Sequence, residues 1–268
     1  MNTGILSEMT LPEVRAFAPE IVLLGVGSTE PHGPALPYGA DYFESDALCR
    51  RATELANQRG GRVLMYPTLP IGNNVNFKPF PFACRVTVRT LMLMLLDVIQ
   101  AVEEDGIRKV VLFDGHGGNT DAMRATLREH FDRTPIERRS FVCMTPGIFA
   151  DRSKRLIEHP SPHGGESETS QMMYLRPELV RNEHLRNLPI AEPDAGLVHL
   201  DQTYFVRPWD RFLPLGGGGV VEKASAERGR EIVESGAAGL SEFLLSLAKV
   251  PWHPGFPYAA GQQAGKKE

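Results

Sequence analysis

The chain has little of what would staple it, anchor it or charge it. Its 268 residues hold only three cysteines (Cys49, Cys84 and Cys143), an odd number, widely spaced and with no C-x-x-C pair. That pattern excludes a disulfide scaffold and a Cys-ligated zinc finger, and it reads as core thiols. Apolar runs such as Leu91–Leu96 fall far short of the ~20 residues a bilayer requires. Positive charge is not in excess: 29 Lys plus Arg stand against 33 Asp plus Glu, a net charge of −4. Nucleic acid is therefore not expected as an obligatory partner. The opening MNTGILSEMTLPEV has neither a basic n-region nor a long apolar h-region, so no signal peptide is expected. No G-x-S-x-G elbow offers a serine nucleophile, and no glycine-rich loop leads into G-K-[ST]. What is present, 42% hydrophobic and 23% charged residues, predicts a cytoplasmic globular protein with a substantial core.

No repeat or linker divides the chain, which reads as one domain over 1–250. The tail 251–268 reads as poorly ordered or docked through its Pro and aromatic residues. Short apolar runs predict strands at 21–26, 62–66, 109–113 and 140–144. Helical spacing predicts helices at 41–57, 87–105, 120–131, 166–175 and 224–247. Strands alternating with helices, and apolar along nearly their whole length, indicate a parallel α/β sheet covered on both faces. In such sheets the loops at the carboxyl ends of strands form the ligand crevice.

Candidate chemistry concentrates in three polar, glycine-rich loops. Ser28-Thr-Glu-Pro-His-Gly33 follows the first strand, with Asp41 nine residues after His32. Asp114-Gly-His-Gly-Gly-Asn119 follows the third. His163-Gly-Gly-Glu-Ser-Glu-Thr-Ser170 opens a helix. Glu30, His32, Asp41 and His116, with Glu166 or Glu168, make a mixed His/carboxylate set suited to Zn²⁺, Mn²⁺ or Fe²⁺. A bridging carboxylate would allow two ions roughly 3.5–4 Å apart. Blander readings stand beside these. Asp41 also fits the N-cap of the helix it opens, and 167–170 also fits helix-start chemistry. His130, His159, His184, His199 and His253 read as surface residues, and the Gly216–Gly219 run as a flexible lid or tight turn.

These residues resemble the creatininase (creatinine amidohydrolase) family. GSTEPHGPALPYGAD (27–41) is similar to its G-S-x-E-x-H-G-x-x-L-P-x-G-x-D motif, DGHGGN (114–119) to N-G-H-G-G-N, HGGESETS (163–170) to H-A-G-x-x-E-T-S, and ASAERGREI (224–232) to A-S-A-E-K-G-R. The resemblance implies a three-layer α/β/α fold with a mainly parallel sheet, two divalent ions (Zn, Mn or Fe) and commonly a hexamer. By position, Glu30, Asp41 and His116 would hold one ion. His32 and Asp41 would hold the other, with Asp41 bridging. Gly118 stands where creatininase itself has a glutamate ligand. The missing ligand is assigned to Glu168, with Glu166 as the alternative and as a catalytic carboxylate beside the proton carrier His163. Phe80-Pro81-Phe82-Ala83 replaces the family's F-P-G-T, Asp114 replaces Asn, Ala40 replaces Thr, and no tryptophan stands at 155–162. Creatinine is therefore not the expected substrate.

The expected reaction is hydrolysis of a non-peptide C–N bond (cyclic amide, amidine or formamide) in a small polar molecule, with Asn73, Asn74, Asn76 and Tyr38 available for hydroxyls. Relatives implied by the resemblance include formamide-cleaving enzymes of deazaflavin biosynthesis and a mycofactocin peptidase. Another relative, a hydrolase of an oxidised inositol, makes C–C hydrolysis of a cyclic β-diketone the runner-up. A metal-binding protein without turnover is the reading from another class.

Overall fold

The computed structural model describes residues 3–135, 137–145, 155–193 and 196–258. Four strands, β1 (Ile21–Val26), β2 (Val63–Leu69), β3 (Lys109–Asp114) and β4 (Phe141–Met144), pair in parallel in the order β2-β1-β3-β4. Every residue of β1 is buried, as its unbroken apolar sequence requires of a strand covered on both faces.

Period-two alternation divides the strands between two cores. Ile21, Leu23, Met65 and Val111 pack with Leu48, Cys49 and Ala52 of α2 (Ala40–Gln58) and Leu240 and Leu244 of a C-terminal helix, Ala226–Lys249. Val22, Leu24, Leu64, Val110 and Leu112 face the other way. They meet Leu91, Leu95, Ile99 and Val102 of α3 (Val88–Glu104) and Met123 of α4 (Thr120–Arg133). The result is three layers, α/β/α, as the strand–helix alternation predicts. Thr87 starts α3 by accepting from Thr90 N at 3.0 Å, one of the orphan donors of a helix start.

Besides short 3-10 turns, three further α-helices lie among the described residues: α1 (Leu11–Phe17), α5 (Glu166–Leu175) and the short α6 (Trp209–Phe212); the C-terminal helix is α7. The sequence reading places no helix before β1. In the structure Glu13 accepts from Thr10 N at 2.7 Å and starts α1, a polar device with no apolar periodicity behind it. Among the described residues no helix is long and apolar enough to cross a membrane. The described part of the tail docks through Phe256, whose ring centre lies 4.8 Å from that of Phe141. Residues 259–268 of the expected tail lie outside the described residues.

Topology places the site. The chain leaves β1 into α2 on one face and leaves β3 into α4 on the other. β2 and β3 flank β1 on opposite sides. Adjacent strands whose connections depart to opposite faces open a crevice at their carboxyl ends, and here that crevice lies between β1 and β3.

Two side chains, Cys84 and His130, depart from expectation, and Phe82 stands in an unusual backbone conformation. Cys84 is exposed rather than a core thiol, because the 79–84 loop turns it outward. Phe82, which occupies the glycine position of the family's loop, has φ +54°, a left-handed backbone that glycine adopts more cheaply. His130 is buried, with Nε2 2.9 Å from Glu103 Oε1.

The Glu103 carboxylate also accepts from Ser140 N at 3.0 Å and from Ser140 Oγ. Burial would raise its pKa, but the bonds from His130 and Ser140 outweigh burial and hold it below the ordinary carboxylate value. A lowered pKa contributes stability that is complete above the unfolded value and is lost as pH falls through the folded one. Melting curves between about pH 6 and pH 3 are expected to fall less steeply with acid for Glu103→Gln than for the wild type.

Candidate metal centre

The 27–41 loop starts at the end of β1. Ser28 Oγ donates to Glu30 Oε2 at 3.2 Å, and Glu30 N donates to Tyr38 O at 2.8 Å. These bonds turn the Glu30 carboxylate inward, where it is fully buried. Asp41 stands in the first turn of α2, one residue inside it. The N-cap is Gly39, so Asp41 is not the cap that its position suggested. Its two oxygens face different histidines: Oδ1 lies 3.1 Å from His32 Nε2, and Oδ2 lies 3.1 Å from His116 Nδ1.

Each histidine of the cluster gives one ring nitrogen to a backbone carbonyl. His32 Nδ1 donates to Glu30 O at 2.9 Å, His116 Nε2 to Asn73 O at 3.2 Å, and His163 Nε2 to Pro31 O at 2.7 Å. That leaves His32 Nε2, His116 Nδ1 and His163 Nδ1 turned toward the carboxylates, the nitrogens a metal would take in place of their protons. His116 Nε2 is also 3.3 Å from Glu30 Oε2, and His163 Nδ1 is 3.8 Å from Glu30 Oε1.

The two glutamates of the third motif stand in different surroundings. Glu168 joins His32 and Asp41, its Oε2 held by the backbone N–H of Gly164. Glu166 is not brought to the cluster. Its buried carboxylate is bound by the Arg228 guanidinium and accepts from His159 N at 2.8 Å and Glu158 N at 3.3 Å. That ion pair joins α5 to α7, apart from His163, beside which the sequence reading placed Glu166. Residues 166 and 168 lie about 200° apart around a helix, so one reaches the crevice only if the other turns away. Gly229 explains the rest of the fourth motif: a Cβ there would lie 1.9 Å from Ser170 O, so α5 and α7 cross closely only at a glycine.

Gly118 has a similar cause. A Cβ at that position would fall 2.0 Å from Asn73 O and 2.5 Å from His116 Nε2. The loop leaves no room there for the glutamate that the resemblance implies at this position, and Glu168 reaches His32 and Asp41 from α5. The Gly216–Gly219 run is buried against the motif loops rather than standing as a lid. Gly216 O accepts from Gly33 N at 3.1 Å, and Gly218 N donates to His163 O at 2.9 Å.

The charges of the cluster depend strongly on one another. Among the described residues no lysine or arginine pairs with Glu30, Asp41 or Glu168. Burial and, less strongly, the Asp41 carboxylate push Glu30 up to about 7, and burial raises Glu168. Burial disfavours a charged His32 and a charged His116, but the carboxylates around them win and raise them to about 10 and about 9. Asp41 is driven well below its ordinary value by those imidazoles, against burial. His163 goes the other way: burial and the charge of His32 hold it well below the ordinary histidine value.

Glu30 Oε1 and Asp41 Oδ2 are buried with no hydrogen bond, a costly state for a carboxylate unless a cation meets it. Two ligand triads share Asp41, Glu30–Asp41–His116 and His32–Asp41–Glu168, with ligand atoms within 4.8 Å of one another. Donors roughly 2.0–2.2 Å from one ion stand at such separations, and the N/O donor set suits a divalent transition metal. The residues present fit such an ion.

A cavity of about 650 Å³ opens above the cluster, lined by Asp41, His116, Glu168 and His163 and walled by Phe77 and Trp209. Trp209 stands edge-on to His163, ring centres 5.0 Å apart, and Phe77 lies 5.1 Å from the same ring. Sequence reading missed both aromatics; a lone tryptophan in the irregular 181–222 stretch was the available signal. Tyr38 donates to Pro81 O and is not among the residues lining the cavity, whereas Asn73, Asn74 and Asn76 are.

A parallel α/β crevice furnished with buried imidazoles and carboxylates has the makings of a metal-dependent enzyme. The chain belongs to the creatininase family, a family of hydrolases: the family model, described as creatinine amidohydrolase, matches residues 7–244. It is 27% identical over 216 residues to the mycofactocin precursor peptide peptidase of Mycobacterium tuberculosis, covering 75% of this chain and 79% of the relative. It is likewise 27% identical over 280 residues to the 3-dehydro-scyllo-inosose hydrolase of Thermotoga maritima, covering 92% and 83%. A crystal structure of a candidate creatinine amidohydrolase from Bacteroides fragilis superposes with a TM-score of 0.80 at 28% identity, covering 94% of this chain and all of that one. Identity this even across different activities marks the family and does not select a substrate.

Proposed function

We propose that this chain is a metal-dependent hydrolase in which two divalent ions (zinc, manganese or iron) share Asp41. On this reading it cleaves a non-peptide C–N bond of a small polar molecule: a cyclic amide, amidine or formamide. The observation that carries the reading is the membership of Asp41 in two ligand triads. Ions bound there would polarise a carbonyl and lower the pKa of water.

The protein's own part in the reaction falls to His163. Its Nε2–H is committed to Pro31 O, and it stays neutral. Nδ1 therefore takes a proton from water as the water oxygen bonds to the carbonyl carbon. The same nitrogen returns that proton to the leaving nitrogen as the C–N bond breaks. Phe77 and Trp209, packed on the imidazole, fix its plane and exclude bulk water.

A second reading is supported by the inosose hydrolase relative, which aligns over 92% of this chain. There the same water would add to one carbonyl of a cyclic β-diketone, and His163 would protonate the departing enolate carbon. A hexamer of this chain is also part of the proposal, checked by its mass in solution.

The test is a panel of small amides, amidines, formamides and cyclic diketones, run with zinc- and manganese-loaded protein and with His163→Ala. Turnover in the wild type should fall by about 100-fold or more in the variant at unchanged metal content. Loss of metal instead would make His163 a ligand, through the triad it forms with Glu30 and His32. Tight metal binding with no turnover on any member of the panel would leave a metal-binding protein and overturn the hydrolase.

A further inference from the structure

The floor of the cavity carries carboxylates and imidazoles, and Arg207 is the one arginine or lysine among its described lining residues. It sits in the segment 203–208 that leads into α6. Tyr204 of that segment donates to Asp121 Oδ2 at 3.1 Å, which ties the segment across to α4. The Arg207 guanidinium stands 4.6 Å from the ring centre of Phe212 and 5.9 Å from that of Phe205. Aromatic contacts of this kind restrain a guanidinium while leaving its N–H donors unused. Arg176, which lies over Phe43, spends its donors on Glu178. Arg207 has no ion pair or hydrogen bond among the described residues.

We infer that Arg207 is the anion-binding residue of this cavity, and that the substrate carries a carboxylate at the end away from the bond cleaved. The inference rests on the hydrolytic reading above and narrows its substrate class. A planar guanidinium matches a carboxylate through two parallel N–H···O bonds, and Arg207, an exposed residue, lines the same cavity as Asp41, His116 and Glu168 of the cluster. Substrate would then be oriented with its scissile carbonyl toward His163 and its charge toward Arg207.

Succinamate and succinamide test this, being equal in size and differing by one terminal charge. Calorimetry with the zinc-loaded protein should show succinamate binding about 10-fold tighter or more, the effect of a charged hydrogen bond. Arg207→Met should erase that preference at unchanged zinc content and melting temperature. Arg207→Lys should keep part of it, because charge remains without the fork. Equal or absent binding of the two probes by the wild type would overturn the assignment. So would a preference that survives in Arg207→Met, which would place the carboxylate on the ions. Ammonia release reads the hydrolytic claim separately. A charge preference lost in Arg207→Met without ammonia from either probe supports Arg207 as the anion site and counts against amide hydrolysis. Ammonia from both probes at equal rates and affinities keeps the hydrolase and removes Arg207 from it.

Discussion

Asp41→Ala is expected to purify with essentially no bound transition metal, whereas Glu168→Ala keeps one ion of the two proposed. The difference follows from geometry. Asp41 offers Oδ1 on the His32 side and Oδ2 on the His116 side, and it stands in both ligand triads. Glu168 stands in one. Removing a shared ligand strips both positions at once, and even partners behind the ligands cost roughly 10–100-fold in metal affinity. A direct ligand should cost at least that at each position. The backbone has little reason to change, because Asp41 lies within α2 and is not its cap. Alanine, moreover, is the best helix former. Asp41→Asn serves as the isosteric control for folding. Elemental analysis per chain decides: about two ions in the wild type, one in Glu168→Ala and none in Asp41→Ala. Full metal content in Asp41→Ala would remove Asp41 from the ligand set, and loss of a single ion would remove its sharing.

The second large effect is on stability and lies outside the cluster. Glu166 is fully buried, and its carboxylate is met by Arg228, whose side chain is 23% exposed, and by the N–H groups of Glu158 and His159. Arg228→Met leaves that buried charge with backbone donors alone. Breaking a buried pair from one side costs about 3–5 kcal/mol. The partial exposure of Arg228 places the expectation near the lower figure. For a chain of this size that corresponds to a fall in Tm of roughly 6–12 °C. Glu166→Gln removes the charge while keeping the shape, and it should cost less than Arg228→Met. Both variants should keep the wild-type metal content. The contrast with Glu168→Ala is the point: two acids two residues apart, one holding α5 to α7 and the other standing with His32 and Asp41. Metal loss in Glu166→Gln at unchanged Tm would reverse these roles.

Much of the site was readable because its residues are local in sequence. Glu30, His32 and Asp41 come from one loop, His116 from the loop after a strand, and His163 from a glycine-rich helix start. The rule that parallel strands deliver their following loops to one crevice was enough to bring them together. The preference for Glu168 over Glu166 came from the family resemblance and not from that rule. Both lie in the first turn of α5, and which one faces the crevice depends on how α5 is rotated against α2 and α7. That rotation is set by the glycine crossing at Gly229 and by Arg228, more than 50 residues further along the chain. The same limit hid Trp209, Phe77 and Arg207, which reach the cavity from segments with no periodicity of their own.

The parallel α/β class, the two-sided burial of β1 and the loops that carry the candidate ligands were legible in the sequence alone, because apolar periodicity and strand-end loops are local properties of a parallel sheet, whereas the strand order was not. The face Glu166 presents, the absence of room at Gly118, the packing of the Gly216–Gly219 run and the cation on the cavity wall were decided only by tertiary structure. Each depends on the separation of atoms far apart in the chain, and no local pattern encodes that distance.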